Sequence, residues 1–434
     1  MISRLRKLLR WPVIVLLGLA LLSLGNDALR LNPAQQIGAP FMYDLFQWEA
    51  ANFLDKWAHK LSRSLPWNSL SQEEKLNQVE EYFRLGEDVR RLETDLREAM
   101  ANNSDDASPA RMTIEAELEE IEGRLKSLRN DVEEVIEATI SAVVTEEDIG
   151  TLWKLVFPPV DMRLTDPPKL LVTSPRDRIE RTHDVLLSPS IVVEERENIE
   201  RELLEDSNLS ALVINIGGIA TYPASIPGSQ PLQWTLQIAA HEWLHHYFFF
   251  HPLGQNMFNS TDMQILNETV ADIAGREIGD RAFEMLENSI ESIGLRDDIP
   301  QPMREMEGEL PEFAGTVTEP FDFSREMRAT RLRVDGLLSE GMIEEAEAYM
   351  EERRTLFVDN GFNIRKLNQA FFAFNGTYAD SPASVSPVGD QLQRFRSLMP
   401  DLETFIKTIG RISSYQKFLD KLETLDAEAK SSTP

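Results

Sequence analysis

Two stretches of the chain carry apolar residues at the spacing of a long amphipathic helix. In residues 111–147 the intervals alternate between four and three, at Ile114, Leu118, Ile121, Leu125, Leu128, Val132 and Val135. Upstream, the same heptad spacing recurs at Leu85, Val89, Leu92, Leu96 and Ala99. The polar segment between them, "ANNSDDASPA", offers a serine that can cap a helix and a proline suited to its first turn. The pattern predicts an antiparallel helical hairpin over residues 69–147, either a structural or dimerisation element or an arm that binds a protein partner.

Beyond the hairpin, short apolar runs and isolated helices replace the heptads. The strand-like runs are "KLLVTS" (169–174), "HDVLLS" (183–188), "IVV" (191–193) and "ALVINIGGIATYPASI" (211–226), with a charged helix at 194–206. The last run has β-branched residues, a Gly-Gly pair and a proline, which are typical of an exposed edge strand with a bulge. The helices predicted next cover residues 232–251 and 263–278, followed by a Pro- and Gly-rich loop at 292–318 and further amphipathic helices.

The first 30 residues have the pattern of a membrane anchor. Four basic residues and no acid occur in residues 1–10, and residues 11–24, "WPVIVLLGLALLSL", are apolar. This run is shorter than the roughly 20 residues that a membrane-spanning helix needs, but its flanks can extend it. Because no small-residue cleavage site follows, we expect an uncleaved signal-anchor, with the bulk of the chain outside the cytoplasm. Residues 31–68 are then a juxtamembrane helix whose aromatic residues suit either the membrane interface or a protein contact.

The composition narrows the possible chemistry. The chain has 434 residues and no cysteine, which excludes thiolate catalysis, disulfides and cysteine zinc sites. Its net charge of −29 disfavours nucleic acids as partners. Any transition metal must therefore be bound by histidines and carboxylates.

Four of the six histidines lie within residues 241–251, "HEWLHHYFFFH". His241 and His245 are four residues apart, so a helix places both imidazoles on one face, one turn apart, at a separation suited to one tetrahedral ion. Glu242 lies between them, where a carboxylate can take a proton from water. The pattern predicts a metal site that needs a third protein ligand.

Two residues compete to be that third ligand. His251 follows His245 by six residues, but it could turn back only if the chain left the helix at Phe248, where such a turn requires glycine. Glu268, in "NETVAD", can instead complete the site from the following helix. Asp272, four residues later on the same helix face, can accept a hydrogen bond from a ligand histidine. The predicted ligands are His241, His245 and Glu268, and the predicted non-ligands are His246 and His251.

These motifs resemble those of the gluzincin metallopeptidases, the thermolysin-like branch of the zincins. The resemblance rests on "HEWLH" and on "NETVAD", whose glutamate follows the second motif histidine by 23 residues, and it covers roughly residues 169–280. It implies bound Zn²⁺, Glu242 as general base and a strand before the active helix that pairs with an extended substrate. It also implies an oxyanion donor downstream, for which Tyr378 is the candidate; a half-buried tyrosine at a helix end is the alternative. Arg365 is a weaker candidate for contacting a substrate carboxylate.

The expected fold is α+β and predominantly α. A zincin-like catalytic domain at residues 148–285 follows the hairpin and precedes a C-terminal helical subdomain at residues 286–434. The predicted function is a membrane-anchored zinc peptidase that hydrolyses peptide or protein substrates. The alternative is a membrane-tethered scaffold that binds partners through the hairpin and keeps a structural or vestigial zinc site. An intramembrane protease is excluded, because no companion apolar spans accompany the short run around the motif.

Overall fold

The computed structural model describes residues 31–63, 65, 69–102, 109–152, 155–292, 321–379 and 381–431. The predicted membrane anchor at residues 1–30 lies outside these ranges, as does nearly all of the loop predicted at residues 292–318. Within them, no helix combines the length and the apolar character that a bilayer span requires.

The described residues form a mostly helical protein with small sheets, which confirms the predicted α+β, predominantly α class. The helices are α1 (Pro33–Gly38), α2 (Leu45–Arg63), α3 (Gln72–Asn102), α4 (Pro109–Glu146), α5 (Val193–Ser207), α6 (Leu232–Phe249), α7 (Pro252–Gln255), α8 (Thr261–Ser292), α9 (Phe323–Ser339), α10 (Ile343–Asp359), α11 (Gln369–Asn375), α12 (Val388–Ser397), α13 (Leu402–Ile409) and α14 (Tyr415–Ser431). The strands are β1 (Thr151–Leu152), β2 (Leu155–Val156), β3 (Met162–Leu164), β4 (Lys169–Pro175), β5 (His183–Leu187), β6 (Leu209–Asn215) and β7 (Ala224–Ile226).

Helices α3 and α4 form a long antiparallel pair over the residues of the predicted hairpin. Glu81 pairs with Arg124 at 2.7 Å, and Lys75 pairs with Glu134 at 3.8 Å. Because residue numbers fall in α3 as they rise in α4, the two helices run in opposite directions. Val132, near the base of the pair, is fully buried in the core that also contains α6. The C-terminal part of α4 thus packs into the same hydrophobic core as α6.

A three-stranded antiparallel sheet lies beside this core. Strand β4 is central, with β5 on one side and β6 on the other. Strand β7 belongs to a different sheet, where it pairs in parallel with β3. The prediction of one strand over residues 211–226 was therefore wrong in its middle, because residues 216–223 leave the first sheet and cross to the second. The Gly-Gly pair and Pro223 lie in this connection.

The strand predicted at residues 191–193 is also absent from the structure. Ile191 and Val192 precede α5, and Val193 begins it. The Val192 N–H donates a hydrogen bond to Glu195 Oε2 (3.1 Å), a contact that starts a helix. Local capping has thus overridden the strand preference of the β-branched residues.

Helices α6 and α8 pack against each other through the centre of the protein, where Gly275 and Gly279 of α8 lie against His241 and Gln237 of α6. Helix α6 ends at Phe249, two residues before the predicted end at His251. Helix α8 continues well beyond its predicted end at Ile278. Its extension is held by further buried apolar residues at helical intervals: Ala282, Leu286 and Ile290.

The C-terminal helices are divided between two hydrophobic cores. Phe395, Phe405 and Phe418, from α12 to α14, are buried in the core that contains α6 and α8. Helices α9 and α10 instead build a second core around Phe357. The domain boundary predicted between residues 285 and 286 falls inside α8 and separates helices that share one core.

Candidate metal centre

The histidine motif lies in the buried middle of α6. His241 is only 7% exposed, and Trp243 and Leu244 beside it fix the helix in the core. His245 stands one turn further on, and its Nε2 lies 3.0 Å from Nε2 of His241. The helical spacing thus brings the two ring nitrogens to one point at the surface of α6.

Glu268 reaches the same point from α8. Its Oε2 is 3.7 Å from Nε2 of His241 and 3.5 Å from Nε2 of His245. In a tetrahedral zinc site with bonds of about 2.0–2.2 Å, neighbouring donor atoms are about 3.3–3.6 Å apart. The distances of 3.0, 3.5 and 3.7 Å bracket this range, so the three atoms can hold one ion.

Two glycines allow α8 to come this close to α6. A Cβ atom on Gly275 would lie 2.9 Å from the backbone nitrogen of His241, and one on Gly279 would lie 2.4 Å from Cα of Gln237. Both distances are too short for a real side chain, so glycine is required at this crossing. At intervals of four, three and four, one face of α8 carries Glu268, Asp272, Gly275 and Gly279.

Asp272 orients the first histidine. Its Oδ1 lies 3.0 Å from Nδ1 of His241. The negative charge of this carboxylate favours a proton on Nδ1, which leaves the Nε2 lone pair facing His245 and Glu268. The sequence placed Asp272 in this supporting position.

The electrostatics of the site favour a cation. Burial on its own would raise the pKa of Glu268, but the facing imidazoles of His245 and His241 outweigh it and hold that pKa well below its usual range. For His241, burial opposes the charged form, yet hydrogen bonds towards Asp272 and Glu268 raise its pKa well above the usual value. The converging lone pairs therefore attract either a proton or a metal ion. A divalent metal ion can serve all three donors at once.

Glu242 is the fifth residue of the centre. It is buried, and burial raises its pKa above the usual carboxyl value although His241 and His245 act in the opposite direction. The connection between β6 and β7 passes directly over its carboxyl group, because a Cβ on Gly218 would lie 2.4 Å from Glu242 Oε1. The Gly-Gly pair, predicted to mark a bulge, thus provides room for this carboxylate.

Tyr378 lies beside the centre, in the turn after α11. The N–H of the next residue, Ala379, donates to Thr269 Oγ1 (3.1 Å), which fastens the turn to α8 one residue from Glu268. Burial raises the pKa of Tyr378 well above its usual value, and the carboxylates of Glu268 and Asp272 raise it further. The phenol therefore stays protonated at neutral pH and can donate a hydrogen bond.

Arg181, in the turn before β5, is a residue of the site that the sequence analysis missed. Its guanidinium donates to Asp184 Oδ2 (2.7 Å) and lies 5.3 Å from the centre of the Phe374 ring. Burial opposes its charge, but the hydrogen bond to Asp184 and the nearby Tyr378 and Glu268 raise its pKa. The sequence holds no signal for this role, since Arg181 sits in a charged turn among other arginines.

The other two clustered histidines lie outside the ligand set. His246 Nε2 contacts the carbonyl oxygen of Thr221 (2.8 Å), and burial lowers its pKa, which keeps the ring neutral. His251 Nδ1 contacts the carbonyl oxygen of Tyr247 (2.8 Å), and its ring lies 4.2 Å from the Tyr247 ring. His246 therefore holds the β6–β7 connection against α6, and His251 caps a backbone carbonyl at the C-terminal end of that helix.

The outer edge of β6 is only partly open. Asn368 Nδ2 donates to the carbonyl oxygen of Ala211 (2.9 Å), and the N–H of Val213 donates to Glu200 Oε1 (2.8 Å). Arg365 donates to the carbonyl oxygen of Val213 (3.1 Å) and is paired with the buried carboxylate of Glu200. The backbone groups of Ala211 and Val213 are therefore already occupied. A substrate cannot pair with these two positions, so the predicted pairing cannot extend along the whole of residues 211–226. Arg365, the weaker candidate for contacting a substrate carboxylate, thus pairs with Glu200 within the protein.

Comparisons of the chain with protein-family models, with curated proteins and with solved structures found no match.

Proposed function

We propose that this protein is a membrane-anchored zinc metallopeptidase with a zincin-like centre. The observation that carries the proposal is the convergence of His241 Nε2, His245 Nε2 and Glu268 Oε2 at 3.0–3.7 Å from one another. Two imidazoles and one carboxylate are the donor set of a hydrolytic zinc centre, and the buried carboxylate of Glu242 beside them is available to act as a base. The gluzincin-like motifs "HEWLH" and "NETVAD" support the same assignment.

The side chains of the centre would divide the work of amide hydrolysis. Bound zinc supplies a Lewis acid that polarises a carbonyl group and lowers the pKa of water towards about 7. Glu242 takes the proton of the attacking water and later delivers it to the leaving amine, a role that its raised pKa suits. Asp272 keeps His241 oriented, and the protonated hydroxyl of Tyr378 donates to the oxyanion.

The substrate would be an extended peptide lying along the β6–β7 connection. The backbone of Val213 is already occupied and that of Ile219 pairs with Ser225, whereas residues 215–218 between them lead from the end of β6 to Gly218 and Glu242. An extended chain can pair with such a backbone edge without regard to most of its side chains. The paired segment would then pass directly over the catalytic carboxylate.

The proposal is tested by zinc analysis and an unbiased peptide-library digestion on the same purified full chain. We expect about one zinc per chain and a cleavage pattern that a chelator abolishes and added zinc restores. His251→Ala removes a neighbouring imidazole outside the centre and should preserve both. Zinc binding without any cleavage would support the scaffold alternative instead, and a chain without zinc would contradict both functions.

A Tyr378→Phe substitution tests the oxyanion donor. It keeps the ring that packs on Phe374, whose centre lies 5.7 Å away, and removes only the hydroxyl. We expect kcat to fall by about 10²-fold, as for other lost oxyanion donors, with KM and zinc content near the wild-type values. Peptide hydrolysis measured over a range of substrate concentrations separates kcat from KM. An unchanged kcat would show that Tyr378 only packs against the site.

A further inference from the structure

Helix α2 presents its charged side to the protein. Lys56, only 4% exposed, contacts Glu137 and lies 2.6 Å from Asp161 and 3.6 Å from Glu133. Burying a lysine is tolerable only with such partners, since an unpaired buried charge is very costly. The ion pairs therefore fix which side of α2 faces inward.

The next turns of α2 repeat this arrangement. Arg63 donates to both carboxylate oxygens of Asp131, at 2.8 and 2.6 Å, and His59 Nε2 lies 3.1 Å from the same carboxylate. On the other flank, Asp55 accepts from the buried Arg163 at 2.6 Å. The helix is thus attached to α4 and β3 mainly through ionic contacts.

The outward side of α2 is apolar. Its exposed large side chains are Phe46, Phe53, Leu54, Trp57 and Leu61, each between 40% and 82% exposed. At about 100° per residue these positions fall within an arc of about 100°, which makes one continuous stripe. A surface helix of a globular protein usually has the opposite orientation, with its apolar stripe inward. A contiguous exposed apolar surface marks a site of interaction.

A second exposed apolar cluster lies near the start of α2. The rings of Phe157 and Phe250 are 5.0 Å apart, and both are about half exposed. Tyr222 links this cluster to α2, since its N–H donates to Glu49 (3.2 Å) and its hydroxyl donates to the carbonyl oxygen of Pro159 (3.3 Å). The apolar surface therefore extends towards the connection that passes over Glu242.

We infer that the apolar stripe of α2 lies in the interfacial layer of a lipid bilayer. The chain itself supports this occupant, because α2 begins at Leu45, 21 residues (45 − 24) after the end of the apolar run 11–24. At no more than about 3.6 Å per residue, that stretch spans at most about 76 Å, so α2 stays within reach of any membrane that holds the run. Tryptophan and phenylalanine beside an apolar stripe are also the side chains that favour this layer.

The charge of the protein restricts the lipid. With a net charge of −29, the chain would be repelled by an anionic surface, and the stripe itself presents uncharged side chains. Contact driven by apolar burial should therefore occur on zwitterionic phosphatidylcholine and should not require anionic lipid. This inference rests on the proposed membrane anchor and is independent of the peptidase chemistry.

The absence of cysteine from the sequence makes a direct test possible. Single cysteines at Phe46 and Leu54 of the full chain, labelled with an environment-sensitive fluorophore, would be placed in phosphatidylcholine liposomes with and without brominated acyl chains. Leu332→Cys, at an exposed apolar position of α9, is the matched control. We expect brominated lipid to reduce emission at least about twofold at Phe46→Cys and Leu54→Cys and to leave Leu332→Cys unchanged.

A second variant separates lipid contact from folding. Adding Trp57→Glu to Leu54→Cys places a charge in the stripe without touching the inward ion pairs, so it should remove most of the quenching at unchanged zinc content and helicity.

Flotation with the liposomes but no quenching at Leu54→Cys would overturn the inference while leaving the anchor intact. Disulfide-linked dimers, or shielding from both lipid and aqueous iodide, would show that protein covers the stripe and would also overturn it. Failure of the full chain to float would overturn the anchor and the inference together, whereas peptidase activity is scored separately.

Discussion

Replacing Glu242 with glutamine is expected to lower kcat by the order of 10⁴-fold, the upper end of what a general acid–base residue contributes. Glutamine is nearly isosteric, so it fits the space beneath Gly218 that the carboxylate occupies. It cannot accept the proton of the attacking water or return it to the leaving amine. Because Glu242 is not among the three converging donors, zinc binding should persist. Peptide hydrolysis and zinc content measured on one preparation give both results.

The matched control for this substitution is Glu344→Gln. That carboxylate is highly exposed in α10 and pairs only loosely with Arg176, at 3.6 Å. Its loss should leave hydrolysis within about twofold of wild type, because exposed ion pairs contribute little. If Glu242→Gln cleaves nearly as well as Glu344→Gln, then Glu242 is not the base.

Replacing Gly279 with valine should abolish zinc binding and activity although residue 279 touches neither zinc nor substrate. The new Cβ would lie 2.4 Å from Cα of Gln237, so α6 and α8 must move apart. Glu268 is on one helix and the two histidines are on the other, and ligand distances must hold to about 0.2 Å for tight binding. A competition titration with a zinc chelator measures the affinity, and circular dichroism with a thermal melt shows whether the helices persist.

Two other glycine substitutions bracket that experiment. A Cβ on Gly275 would lie 2.9 Å from the backbone nitrogen of His241, so Gly275→Ala should weaken zinc binding less than Gly279→Val does. A Cβ on Gly336, within α9, would meet no atom within 4 Å, so Gly336→Ala should raise the free energy of unfolding by about 0.5–1 kcal/mol and leave zinc affinity unchanged. Wild-type zinc affinity in a folded Gly279→Val variant would show that the helix crossing does not set the ligand distances.

The part of the centre that follows from helical periodicity could be predicted. His241 and His245 share a face because they are four apart, and Glu268 and Asp272 share a face for the same reason. Which faces of α6 and α8 meet depends on how the two helices pack. Gly275 and Gly279, four residues apart, mark the face of α8 that approaches α6, but the helical periodicity alone did not identify this crossing.

Features set by distant contacts could not be predicted. The chain leaves β6 after Asn215 and joins another sheet at β7, a choice that depends on β3, far away in sequence. Arg181 lies near the centre because the turn before β5 packs on Phe374, whose ring neighbours that of Tyr378. Arg365 had no predicted partner within the protein, yet it pairs, together with Lys366, with Glu200, a carboxylate that folding buries. Each of these outcomes is decided by contacts between residues far apart in the sequence, which a local pattern does not encode.

The hydrogen bond that holds the Tyr378 turn on α8 determines when, during synthesis, the proposed active site can be complete. His241 and Tyr378 are 137 positions apart (378 − 241), and Thr269 receives the hydrogen bond that joins the two regions only after residue 379 has been made. During synthesis the two histidines therefore leave the ribosome long before the tyrosine does. For the proposed peptidase, full activity would therefore require residues up to 379 to have emerged and folded, so an incomplete chain would hydrolyse peptides more slowly than the finished protein.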